Sequence, residues 1–307
     1  MNAPANQPLF SAESGAFYRS LFRIVAPIAL QNLISAAVSS ADVIMLGYVG
    51  QTALAAASLA SQVQFVLLLF FVGLSSGLIM LTAQYWGKRD TASIETLAGI
   101  ACKFSCAAGL LFALAAACAP ALLMRIFTDD GGMVAEGAKY LRLVAPSYVC
   151  MALSQVYQAV FKSVERVRTV TALTIGALLL NIALNAAFIF GAGPFPALGI
   201  RGVALATSIA RAVEVCACVW VASRIREIRL VPQVLLQRNP VLLRDFVHFS
   251  LPALGNEFVW GAAFAMYSVI LGHLGESIVA AFLVMAGTQI TRPYGPKEIT
   301  RPSAVSR

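Results

Sequence analysis

The sequence predicts an all-α polytopic membrane protein. Three features carry that prediction: long apolar runs, charges confined to clusters between the runs, and Lys and Arg gathered on one side of them. Apolar residues make up 59% of the 307 positions and charged residues only 12%, whereas soluble domains carry about 25% charged residues. Roughly 20 apolar residues in a helix cross a hydrocarbon core of about 30 Å. The runs long enough to do so lie over about 21–47, 53–82, 94–119, 138–161, 168–191, 199–222 and 245–272.

The charges orient these seven spans. Thirteen Lys and Arg fall in alternate loops, from Arg19 and Arg23 through Lys88, Arg89 and Lys103 to the 224–244 linker; the opposite loops hold only Arg125, Lys139, Arg142 and Arg201. Basic residues mark the cytoplasmic side, so a cytoplasmic N-terminus in the plasma (cell inner) membrane is expected. The net charge of +8 then belongs to cytoplasmic loops and implies no nucleic-acid partner. Residues 1–18 lack Lys and Arg; without a basic n-region no cleaved signal peptide is expected there.

Catalysis is not expected. The six cysteines (Cys102, Cys106, Cys118, Cys150, Cys216 and Cys218) form no CxxC pair and lie in or beside apolar runs. They read as small apolar fillers, not as a disulfide framework or metal centre. "GLSSG" (73–77) matches the GxSxG pattern, but a nucleophile elbow needs a strand–turn–helix setting. Its small residues predict close helix packing instead. No HExxH, Walker A or dinucleotide fingerprint occurs, so ATP-driven transport is not expected.

An internal repeat aligns the first and seventh spans at a constant offset of 225. "PIALQNLISAAVSSADVIMLGYVG" (27–50) meets "PALGNEFVWGAAFAMYSVILGHLG" (252–275), with Pro27 on Pro252, Gly47 on Gly272 and Gly50 on Gly275. Six spans separate the copies, so both run the same way, as in transporters built from parallel repeats. The second copy is then expected to begin another span. "IVAAFLVMAG" (278–287) instead gives way to a tail rich in Pro and basic residues, and ten apolar residues do not cross a bilayer.

The chain resembles the multidrug and toxic compound extrusion (MATE) family of cation-coupled antiporters. The likeness covers about residues 17–281. It rests on the Pro27-to-Asp42 helix ending "ADVIMLGYVG", on "GLSSGLIMLTAQYWGKRD" (73–90), and on "LLLNIALNAAFIFG" (178–191) followed by "GIRGVALATSIAR" (199–211). It implies twelve helices in two six-helix lobes. On that pattern 19–223 is a complete N-terminal lobe, 224–244 a basic linker and 245–281 helix seven with a stub of helix eight. Residues 282–307 are a tail unlike the family, with a frameshift as one origin to test.

Asp42 is the leading site candidate. A carboxylate at the centre of a span costs about 2.5–3.5 kcal/mol on insertion, so it normally faces a cavity or a partner; solvation at the outer interface is the alternative. The resemblance implies that Asp42 is the cation-coupling aspartate, binding H⁺ or Na⁺, with no other cofactor. Asn181 and Asn185 lie one helical turn apart on one face. They suit either a carboxylate or cation, or hydrogen bonding between helices. Some family members carry an acid at the position matching Asn185. Thr207 resembles a further hydroxyl of that cluster, and Glu257 an acid used for cation binding in the second lobe. Gln31, Asn32, Gln62 and Gln64 are polar positions suited to line a cavity. Arg211 and Glu214, at i and i+3, are expected to form a structural ion pair.

The leading reading is therefore secondary efflux of amphipathic, often cationic, drugs in exchange for H⁺ or Na⁺, with the lipid bilayer and a C-terminal lobe as partners. Two others stay open: a non-transporting fragment, and a lipid-linked oligosaccharide flippase of the same superfamily. The flippase would favour a more basic cavity.

Overall fold

The computed structural model describes residues 12–191, 197–225 and 239–273. The described residues form eight helices: α1 (Ala12–Val49), α2 (Gln51–Gly87), α3 (Thr91–Cys118), α4 (Pro120–Arg125), α5 (Gly131–Ser163), α6 (Val167–Phe190), α7 (Ile200–Arg224) and α8 (Pro240–His273). All except α4 fall on the seven expected spans, and the all-α membrane fold is the one found. Helices α1 and α8 start earlier than the apolar runs do, at Ala12 and Pro240. Residues 12–18 and 240–244 are thus helical. Once nucleated, a helix gains one hydrogen bond for each further residue it fixes, so its ends need not coincide with the apolar boundary. Pro120 sets off the short α4: it has no N–H to continue the α3 ladder and sits at the first position of the new helix. The expected stub at 278–287 and the 282–307 tail lie outside the described residues.

Helix α5 is the hub. It packs against α2, α3, α4, α6 and α7, while α1 rests on α6 and α2, and α8 on α2 and α3. Among the described residues, α1, α2, α3, α6 and α7 contain windows long and apolar enough to cross a membrane by composition alone. Helices α5 and α8 do not meet that standard; α5 carries Ser147, Ser154, Gln158 and Ser163, all of them buried. The three serine hydroxyls donate to carbonyls of their own helix, at 2.7 Å to Val144, 3.2 Å to Met151 and 2.8 Å to Val160. These polar side chains are screened from lipid by the helices that pack around α5. Its apolar side chains Leu141, Val144 and Tyr148 join Leu67 and Phe71 of α2 in the main core.

The turn "KRD" between α2 and α3 closes in two steps. The Arg89 N–H donates to Trp86 O and the Asp90 N–H to Tyr85 O, both at 3.0 Å, with Arg89 left-handed at φ 58. This is a Schellman-type stop on a residue other than glycine. Asp90 then caps α3, accepting from the Ser93 N–H at 3.1 Å and the Ser93 hydroxyl at 2.6 Å. These bonds favour the ionised carboxylate and hold Asp90, in the turn outside the spans, below the ordinary carboxylate range. Stability tied to this cap is present above the unfolded-state pKa and is lost as pH falls through the lowered folded value. The difference in melting temperature between wild type and Asp90→Ala is therefore full at neutral pH and shrinks on acidification below about pH 4. Thermal melts in detergent across a pH series measure it; a pH-independent difference would contradict the cap.

Lipid tails are as apolar as leucine, so burying leucine drives helices together far less in a membrane than in water. Close approach of backbones takes over. "GLSSG" supplies it, as expected, and the partner is α8. A Cβ built on Gly73 would lie 2.8 Å from Leu254 Cα, and one on Gly77 would lie 2.9 Å from Ser250 Cα. Both atoms belong to backbone and have no rotamer through which to yield. Gly77→Val is expected to destabilise by about 1–3 kcal/mol, the usual cost of overpacking. A melting temperature equal to wild type would show that α2 and α8 do not meet there.

Candidate functional site

Four of the sequence-predicted residues converge on one polar cluster. Asp42 is half-buried on α1 and Asn185 fully buried on α6; the α1–α6 contact brings them together. The Asn185 amide donates to Asp42 Oδ1 at 2.7 Å and to Asn181 Oδ1 at 3.2 Å. Asn181 reaches Thr207 Oγ1 on α7 at a long 3.5 Å, and the Thr207 hydroxyl donates to Val203 O at 2.9 Å. The i, i+4 spacing of the two asparagines aims both amides at one side of α6, and Thr207 receives the far end of the chain of bonds.

Two further members escaped sequence reasoning. Tyr140, on α5 and buried, shares hydrogen bonds with the Ser61 and Thr207 hydroxyls and feels the charge of Asp42. Ser61, on α2, donates to Ala57 O at 2.7 Å. The signal available was weak: a buried tyrosine hydroxyl usually finds a partner, but nothing in the sequence says which. With these two, the cluster joins α1, α2, α5, α6 and α7.

The arrangement leaves one polar atom unsatisfied. With the Asn185 nitrogen turned toward the carboxylate, its Oδ1 is buried with no hydrogen-bond partner among the described residues. Turning the amide over would set oxygen against carboxylate oxygen, which is worse while Asp42 is ionised. The cluster thus offers a carboxylate, amide oxygens and a hydroxyl, an all-oxygen set that suits a hard cation or a proton.

The remaining candidates lie elsewhere. Glu257 is half-buried on α8, which packs on α2 and α3, and it takes no part in the Asp42 cluster. Gln64 donates to Met151 Sδ at 3.9 Å, and Gln62 Oε1 is buried without a partner among the described residues. Gln31 is half-buried and Asn32 exposed on α1. Arg211 and Glu214 do form their ion pair, at 2.7 Å. Gln158 of α5, unanticipated, donates to the other Glu214 oxygen at 2.9 Å. Glu214 is thereby held on both oxygens in a fully buried position.

The fold is thus a multi-pass helical lobe with one half-buried carboxylate, Asp42, held in a polar cluster between its helices. Residues 27–187, just over half of the chain, match the MatE family model, and the chain belongs to that family. It is 29% identical over 279 residues to a probable multidrug resistance protein NorM of Rhizobium meliloti, covering 86% of this chain and 57% of that one. It is 24% identical over 272 residues to the uncharacterized transporter YisQ of Bacillus subtilis, covering 88% and 57%. The chain thus spans under two thirds of the length of these relatives, which are named as transporters or resistance proteins. Among solved structures, it resembles an inward-facing multidrug resistance MATE family transporter with a TM-score of 0.72 and 20% identity, covering 85% of this chain and 58% of that one. An outward-facing MATE structure also gives 0.72, at 19% identity, covering 87% and 62%. The fold of this region is thus recognisable in both states.

The Asp42–Asn185 bond is open to a double-mutant cycle. Asp42→Leu and Asn185→Leu each destabilise, and the double variant is expected to cost less than their sum by about 0.5–3 kcal/mol. Denaturation in detergent measures the coupling, and strict additivity would mean that the two side chains do not interact.

Proposed function

We propose that this chain supplies the N-terminal lobe of a drug–cation antiporter in the plasma membrane, with its N-terminus cytoplasmic and Asp42 as the coupling carboxylate. The observation that carries the proposal is the orphaned Asn185 oxygen beside Asp42. Protonation turns the carboxyl from acceptor into donor, and the amide then satisfies its oxygen by rotating to accept that proton. Sodium would achieve the same end by taking the carboxylate and amide oxygens as ligands, with Asn181 and Thr207 in reach. Either event rewrites the bonds joining α1, α6 and α7, and so alters how α1 sits on the lobe. Alternating access in such transporters comes from rocking one bundle against another, and reseating α1 gives cation occupancy a way to bias that motion. The cargo is an amphipathic, often cationic, small molecule.

The flippase reading draws no support from the interior charges. Arg211, the cation within helix α7 that a pyrophosphate would need, is engaged by Glu214.

The experiment has two readouts. Binding of ²²Na⁺, or proton uptake in weak buffer, is measured on the purified chain. Ethidium accumulation is measured in an efflux-deficient bacterial host expressing it together with the C-terminal lobe of a MATE-family transporter. Asp42→Asn is expected to remove cation binding and to raise ethidium accumulation to the level of the empty host. Binding and efflux equal to wild type in Asp42→Asn would end the role assigned to Asp42.

A further inference from the structure

We infer that Cys102 and Cys106 form a dithiol site for a trivalent organoarsenical. The two lie one turn apart on α3, and their sulfurs are 3.7 Å apart, with one thiol donating to the other. No other cysteine pair among the described residues makes such a contact. Both thiols are half-buried, at the edge of an outward face that exposes Lys103, Phe104 and Ala107. Tyr157 of α5 lies on their inner side, close enough to feel both thiols and Cys218 of α7. Lys103, Phe104 and Ala107 line a groove with Pro240 and Leu243 of α8, so the pair is reachable from the edge of that groove and backed by protein on the other side.

The sulfur separation is short enough for one atom to bridge both thiols after a small closure of the side chains, and the ligand count decides which atom. Two sulfurs bonded at near-tetrahedral angles to one atom through bonds of about 2.3 Å, the zinc–sulfur length, stand roughly 3.8 Å apart. A linear two-coordinate cation would need about 4.6 Å at that bond length. Zinc meets the bite but wants four ligands, and no group of three or more His, Cys, Asp or Glu occurs among the described residues. An As(III) centre carrying one organic group needs two sulfurs and no more. It is pyramidal, soft enough to prefer sulfur, and neutral as its oxide, so it partitions into the membrane in which these thiols lie.

The reaction balances without an oxidant. Two As–S bonds form, both S–H bonds break, and the two protons leave with the arsenoxide oxygen as one water. Neither arsenic nor sulfur changes oxidation state. The inference stands apart from cation coupling at Asp42.

The test uses the reduced full chain in detergent and phenylarsine oxide as the probe. Intact-mass spectrometry is expected to show one phenylarsenic unit per chain, with two thiols protected from maleimide and release by 2,3-dimercaptopropanol. Losing one arm removes the intramolecular second bond, so Cys102→Ser and Cys106→Ser should each weaken capture by roughly 100-fold or more. Cys118→Ser and Cys216→Ser should leave it unchanged. Tandem mass spectrometry of the wild-type adduct tests the same point without any substitution. Arsenic bridging within a peptide that holds both Cys102 and Cys106 supports the site. Arsenic found elsewhere, or full maleimide labelling after treatment, overturns it.

Discussion

In hydrocarbon there is no water to satisfy a polar atom, so a buried donor or acceptor without a partner inside the protein is costly. The position of α5 follows from this. Its serines, Gln158 and Tyr140 would be costly against lipid, and five other helices enclose it. Apolar helices such as α1 and α6 take the outer positions, where exposed Leu33, Ile44 and Leu179 meet lipid at little cost. Polar contacts decide the order of the helices, and apolar contacts fill the space between them.

The same constraint separates two of the carboxylates within the spans, Glu214 and Asp42. Glu214 accepts from Arg211 on one oxygen and from Gln158 on the other, so its charge is matched and its geometry locked across α5 and α7. Removing one partner from such a buried pair typically costs about 3–5 kcal/mol, which makes it a rivet. Asp42 receives one amide donor, stays half-buried, and has an unsatisfied amide oxygen beside it. Glu214 is thus locked on both oxygens and Asp42 is not, although both are acids in apolar helices.

Packing of α2 shows a second use of scarce features. One face of this helix contributes Leu67 and Phe71 to the main core, and Gly73 and Gly77 bring it against α8 at backbone distance. Beyond that seam α8 exposes Phe258, Val259 and Trp260, side chains that lipid accommodates. Small residues at the closest approach of two helices are a pattern of membrane helix packing.

Much of this was legible without coordinates. Apolar runs, charge clusters and glycines are local properties, so the seven long helices, the all-α class and the close packing of "GLSSG" could be read from residue type and spacing alone. The Asn181–Asn185 pairing was equally local, because a helix sets the i, i+4 geometry by itself. What joins Asp42 to Asn185 across 143 positions, brings Tyr140 to Thr207, and places Gln158 on Glu214 is the order in which helices pack, and spacing along the chain does not encode it. Sequence determined which segments enter the membrane and which residues are too polar to face lipid. Only tertiary structure decided which of those residues satisfy one another, because a hydrogen bond between helices depends on rotation and depth that no single helix specifies.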